Sequence, residues 1–493
     1  MSLAPRASDR RRIAIGVVAG LALTSPPVAA HDLILRYDLP IPFDLYLYAS
    51  AAVLVGTFAL IAWFMRQPLR GGTATGVELG TPVGHLPRGF LLLLRGVALG
   101  LLLLCIGAGL FATRDPDRNI GVLLFWQLFL LAFLYSTALI GDVYALANPW
   151  QTLVEWTRRG RSDPGAPRFS YPVSWGYWPA VILYIVLVGY ELFALPRPRP
   201  LAIVLIVYTL IVLAGVWMFG KTVWFRYGEI FAVLLRIVGT LAPIAYRPSP
   251  QSTSCRVLLR APFVAAAETR AEHMSLVVFV LFMLAGTTYD GMHQTIFWMG
   301  LYYNHLLALL HPLWGNDLIA AQATLEKWYV VYQRVGLVLF PFLYLAIYLG
   351  VLRLVKWATG TTLTVRELAF EFAFSIVPIA FVYNLAHYYT AILLRLPAVP
   401  YLLTDPFGLD WNPFGFDRPS NEWPVLNMGL VWHTEVALIV IGHMVSVWLA
   451  HRIALRLFGS RREAMRSQLP MLLLMVIYTV VGLWVISLPF ALT

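Results

Sequence analysis

The stretch Leu426–His451, LNMGLVWHTEVALIVIGHMVSVWLAH, decides how the rest of the chain is read. Its apolar run exceeds the roughly 20 residues that a bilayer-spanning helix needs, yet it carries His433, Glu435, His443 and His451. Ionisable groups at membrane depth are costly and are kept for pairing or for function. His433 and Glu435 fall near one end of the span and His443 past its middle, while His451, beside Arg452, needs only an interfacial role.

Composition extends that reading to the whole chain. Of 493 residues 59% are hydrophobic and 12% charged, with a mean hydropathy of +0.73. Soluble globular domains do not have this balance. The expected fold class is all-α: a polytopic membrane bundle with apolar runs at 44–66, 89–112, 119–141, 175–194, 200–220, 274–290, 329–353, 367–393, 428–450 and 470–491. The net charge of +11 does not point to nucleic acid, because the basic residues sit in short loops between spans, where membrane orientation accounts for them. Arg158, Arg159, Arg161 and Arg168 share one set of loops with the basic residues of 221–270 and of 452–466. Placing that set inside puts both mature termini on the outer, periplasmic side of a bacterial inner membrane.

Residues 1–30 read as a secretory signal: Arg6, Arg10, Arg11 and Arg12, an apolar run, then Val28-Ala29-Ala30 at a cleavage position. Cleavage there makes His31 the first residue of a single domain, 31–493, where its α-amine and imidazole together could chelate a metal. Within that domain three segments stand apart. Residues 227–244, apolar but interrupted by Glu229 and Arg236, read as an amphipathic helix on the inner surface. Residues 291–328 read as an outer re-entrant or interfacial segment, and 394–427, rich in Asp, Pro, Gly and aromatic residues, as an ordered outer lid. Cys105 and Cys255 fall in different compartments, so no disulfide is expected between them.

Sorting the polar residues by depth gathers a candidate site on the outer side. His31, His293, His387 and His433 lie there with Asp290, Glu435 and Tyr383. Imidazole and carboxylate groups are suitable ligands for Zn²⁺, or for Cu or Mn; a His387/His433 pair could instead hold a haem. No short motif defines the set, and the inference rests on shared depth. Asp290 and His293, at i and i+3, share a helix face if Gly291 does not break it. Pro378 should interrupt the eighth span. Glu367 and Glu371, one turn apart at its inner end, should pair with Arg366 or Arg353. Asp142 and Asn148 suit capping and turn formation, or an inner station on a transport path.

The chain resembles a bacterial family of multi-spanning membrane proteins labelled fenitrothion hydrolase. The resemblance is carried by His31-Asp32 with Asp38-Leu39-Pro40-Ile41-Pro42, Gly141-Asp142, Asn148-Pro149-Trp150, Tyr227-Gly228-Glu229, Tyr289-Asp290-Gly291, Ala386-His387-Tyr388, Ile441-Gly442-His443 and Ala450-His451. It implies hydrolysis of an apolar organophosphate triester by a membrane-integrated enzyme, with a second membrane protein as partner. In that reading a metal-bound water attacks phosphorus, Asp290 or Glu435 acts as general base, and Trp298, Trp432 and Tyr383 face the substrate. Two other classes fit the same residues. One is a permease or metal-handling transporter in which the histidines bind cargo; the other is a scaffold or maturation subunit of a membrane metalloenzyme.

Overall fold

The computed structural model describes residues 42–64, 80–157, 167–194, 197–248, 254–307, 318–416 and 426–487. The expected signal peptide and His31 lie outside the described residues, as do parts of the two outer segments.

Among the described residues ten helices are long and apolar enough to cross a membrane, at the places that hydropathy marks. In chain order they are α1 (Phe43–Phe64), α2 (Arg88–Phe111), α3 (Ile120–Ile140), α4 (Trp178–Phe193) and α5 (Pro198–Phe219), followed, after the short α6 (Ile230–Val238), by α7 (Met274–His293), α8 (Leu318–Thr359), α9 (Val365–His387), α10 (Met428–Leu457) and α11 (Arg461–Ser487). The chain is a multi-pass membrane protein of all-α type. Large apolar side chains such as Leu103 on α2, Leu210 on α5 and Leu339 on α8 remain exposed on the bundle, where lipid is their solvent.

The bundle is built around α7. Every residue from Ser275 to His293 is buried, as expected of a helix that is apolar on all sides. It packs against α4, α8, α9 and α11. Polar groups therefore enter the bundle interior only where α7 or its neighbours carry them, and α7 carries Thr287, Thr288, Asp290 and His293 together at its C-terminal end.

Two irregularities shape the helices around it. Leu123–Phe133 of α3 is a π-helix. In α9 the turn Ala373–Ile376 is 3-10, and Pro378 opens the following helical segment; its missing N–H cannot close the ladder, which produces the expected interruption. α9 approaches α10 closely at Gly442, where an added Cβ would run into the side chain of Val382.

Three sequence expectations change. Residues 227–244 do not form a helix lying on the surface: seven of the nine residues of α6 are buried, and so is Glu229 ahead of them. The apolar face that suggested a lipid surface is instead covered by α4 and the inner part of α3. A small antiparallel sheet also appears, with β1 (Thr81–Leu86), β2 (Ile244–Pro248) and β3 (Cys255–Leu259) in the order β1-β3-β2. It ties the loop after α1 to the segment after α6. Third, the inner carboxylates of α9 take other partners: Glu367 closes a capping box with Thr364, and Glu371 pairs with Arg456 (2.8 Å) and Arg270 (3.5 Å). Cys105 and Cys255 are both free.

The close approach of α9 and α10 has a measurable consequence. Gly442→Val should lower the thermal midpoint of the detergent-purified protein, overpacking of this kind costing about 1–3 kcal/mol. Gly350→Ala, where an added Cβ meets nothing within 4 Å, should leave the midpoint unchanged or slightly raised. Equal midpoints for the two variants would remove the packing argument.

Candidate functional site

The C-terminal end of α7 brings together four groups from three segments of chain. Asp290, 6% exposed, points its Oδ2 at His387 Nε2, 2.7 Å away at the end of α9. The hydroxyl of Tyr388, the next residue, lies 2.8 Å from the same Oδ2. That hydroxyl also lies 2.9 Å from Oε1 of Glu191, at the C-terminal end of α4. The result is a continuous chain, His387–Asp290–Tyr388–Glu191, in which each link is within hydrogen-bond distance.

Local structure explains the placement. α7 stays helical through Gly291 to His293, so the glycine is not a break. It is a point of close contact, since a Cβ there would lie 2.9 Å from Val485 of α11 and 3.6 Å from the His387 ring. α9 ends at His387, and Tyr388 takes a non-helical conformation before the next short helix. This turn sends the two neighbouring side chains to the same carboxylate.

The outer histidines do not gather as depth alone suggested. His293 is buried behind the site, its Nδ1 2.8 Å from the carbonyl oxygen of Asp290 and 4.0 Å from the carboxylate. His433 is exposed and is held by Gly429 O (2.6 Å) and the Tyr46 hydroxyl of α1 (3.3 Å). Glu435, two residues on, points the other way into the bundle and is 4% exposed, within electrostatic range of His387. The i, i+2 spacing puts His433 and Glu435 on different sides of α10. His387 and His433 thus have separate partners, which does not suit a shared haem.

The same geometry bears on a divalent metal. Among the described residues no group of three or more His, Cys, Asp and Glu side chains is arranged to hold one. The strongest two donors, His387 Nε2 and Asp290 Oδ2, are engaged with each other. The described donor set does not fit a metal shell, and no step is derived through one; His31 lies outside it.

The expected aromatic contacts fall in two places. Trp298, 7% exposed, stacks on Tyr332 with ring centroids 4.9 Å apart and meets Tyr289 edge-on. Trp432, fully buried, meets Tyr46 edge-on, and Tyr383, 2% exposed, lies one turn below His387 against Gly482. Sequence reasoning missed Glu191 and gave Tyr388 no role. The signal for Glu191 was its depth: it sits near the C-terminal end of its span, as Asp290 and His387 do in theirs.

A second buried carboxylate organises the start of α6. Glu229, 0% exposed, caps α6 by accepting from the backbone N–H groups of Phe231 (3.1 Å) and Ala232 (2.7 Å). It also accepts from the Tyr208 hydroxyl, from Asn148 Nδ2 (3.3 Å) and from the Tyr144 hydroxyl (3.4 Å). Burial pushes its carboxyl above the usual range, and these donors oppose the shift. Asp142 caps the following turn through Ala145 N (3.0 Å). Its carboxyl is pushed up by burial from 3.8 to about 6, against the pull of the Ala145 bond and of Arg236.

No family model matches the chain, and neither the curated proteins nor the solved structures return a match. The chemistry must therefore be argued from the site.

The Asp142 carboxyl generates a pH prediction. The folded chain binds this proton more tightly than the unfolded chain does, so the associated stability is fully present below about pH 4 and is lost as pH rises through about 6. Asn at 142 keeps the cap without titrating. Stability of Asp142→Asn relative to wild type should therefore rise across that interval, as read by chemical denaturation at fixed pH values. A difference independent of pH would contradict the assignment.

Proposed function

We propose that this protein is a membrane-embedded hydrolase of apolar, uncharged organophosphate triesters, with its site in the outer half of the bundle and facing the periplasm of a bacterial inner membrane. The observation that carries the reading is the 2.7 Å contact between Asp290 Oδ2 and His387 Nε2. A carboxylate there selects the tautomer with a proton on Nε2, which leaves the lone pair of the imidazole on Nδ1. Nδ1 has no hydrogen-bond partner among the described residues, and the His387 side chain is 17% exposed against 6% for Asp290. This is the arrangement of an oriented general base.

The chemistry follows from that atom. Water attacks phosphorus as Nδ1 takes its proton, the P–O bond to the aryloxide breaks with its electron pair, and the products are a phosphodiester and a phenol. Asp290 holds the ring and stabilises the imidazolium that forms. It is the orienting group here and His387 the base, a division of roles that depth alone did not provide. An apolar triester needs no charged entry path and can partition from the outer leaflet. The resemblance to the fenitrothion hydrolase family supports the same substrate class, and a second membrane subunit belongs to that reading.

A transport function is less well supported by the inner polar groups. The path suggested by sequence began at Asp142, which caps a turn, and passes Asn148, which donates to the capping Glu229.

The test is release of nitrophenol from an aryl dialkyl phosphotriester by membranes carrying the full chain in its native host. His387→Gln should lower the rate by about a hundredfold or more, the usual contribution of a general base. His433→Ala, exposed and bonded elsewhere, should keep the wild-type rate. An unchanged rate in folded His387→Gln membranes would falsify the reading.

A further inference from the structure

The Glu191–Tyr388–Asp290 contacts contain a proton-counting problem. A phenol has one hydrogen and can donate one conventional bond. Here its oxygen lies 2.9 Å from one carboxylate oxygen and 2.8 Å from another. If both acids were ionised, one of these short contacts would set lone pair against lone pair, between two negative charges in a bundle interior. Such an arrangement is costly at membrane depth. One additional proton removes the conflict.

We propose that Glu191, Tyr388 and Asp290 share one proton beyond that of the phenol, and that Glu191 is the port through which protons pass between His387 and the outer face. One assignment satisfies these three contacts. A protonated Glu191 donates to the Tyr388 oxygen, Tyr388 donates to Asp290 Oδ2, and His387 Nε2–H donates to the same Oδ2, which stays anionic. Asp290 is thereby the acceptor of two donors, a favourable condition for a buried carboxylate. Glu191 is only partly buried, whereas Asp290 is enclosed, so the chain runs from interior to surface.

Passage of a proton outward is balanced at every atom. When His387 gains a proton on Nδ1, the proton on Nε2 moves to Asp290. Asp290 passes a proton to the Tyr388 oxygen as the phenolic proton moves to Glu191, and Glu191 has released its own to the outer solution. This leaves His387 with its proton on Nδ1 and a lone pair on Nε2. The starting tautomer returns when Nδ1 gives that proton to the departing aryloxide and a proton from the outer solution comes back through Glu191, Tyr388 and Asp290 to Nε2, so that each bond to hydrogen formed replaces one broken. The titratable groups facing the chain are His293 on α7, Tyr383 on α9, Glu435 on α10, and Tyr135 and Tyr184 on α3 and α4. The shared proton does not depend on which reaction His387 serves; the port, in turnover, rests on the hydrolase reading.

Infrared spectroscopy of the full chain in lipid nanodiscs at neutral pH tests the shared proton without any substrate. The carbonyl stretch of a protonated carboxyl group should be present in wild type, absent in Glu191→Gln and displaced in Tyr388→Phe, which keeps both acids and removes only the bridge. No such band in wild type, or a band insensitive to both variants, overturns the shared proton. Turnover tests the port. Tyr388→Phe should slow hydrolysis in weak buffer and regain rate in concentrated imidazole buffer, and wild-type turnover in weak buffer overturns it. The infrared result stands even where wild-type membranes hydrolyse nothing, so failure of the reaction and failure of the proton assignment are separable.

Discussion

A carboxylate on a fully enclosed helix is the constraint on which the packing around the C-terminal end of α7 depends. Asp290 sits on α7, which has no exposed face through which to hydrate it. A charge at that depth is tolerated only with partners. His387 and Tyr388 supply them from the end of α9, and Tyr388 extends the contact to Glu191 on α4. Two side chains, Asp290 and Tyr388, thereby tie the ends of α7, α9 and α4 together, and the same contacts fix the orientation of the His387 imidazole.

A second buried carboxylate shows the same logic with different partners. Glu229 is buried like Asp290, but its donors include two backbone N–H groups at the start of α6 together with Asn148, Tyr144 and Tyr208. That carboxylate is consumed by capping. The contrast lies in the donors: backbone N–H groups lead at Glu229, and the side chains of His387 and Tyr388 at Asp290. It also gives spatial meaning to short sequence signatures: Asn148-Pro149-Trp150 meets Tyr227-Gly228-Glu229, and Tyr289-Asp290-Gly291 meets Ala386-His387-Tyr388.

Several site residues are legible in the linear sequence. Asp290, His387 and Glu435 stand out because ionisable groups inside apolar runs are rare, and all three are found in the interior. His433 stands out for the same reason but faces outward toward Tyr46. Depth along a helix is encoded in sequence position; azimuth around it is set by neighbouring helices, and no neighbour is visible in a linear string. Segment 227–244 shows the same ambiguity. An amphipathic nine-residue helix suits a lipid surface and a protein interior equally well until the partner of its apolar face is known.

What the sequence by itself determined was the membrane class, ten spans, their approximate limits and the break near Pro378, because hydropathy over about 20 residues and the missing proline N–H are local properties. Only the tertiary structure decided which polar residues meet. The small sheet joins β1 to β3 from far along the chain, and its strands are too short and too mixed to show a pattern. Glu191 and Tyr388 joined the site because α4 and α9 both pack against α7. The physical reason is common to both: a hydrogen bond between distant segments depends on packing geometry, which the side chains of the whole bundle settle together.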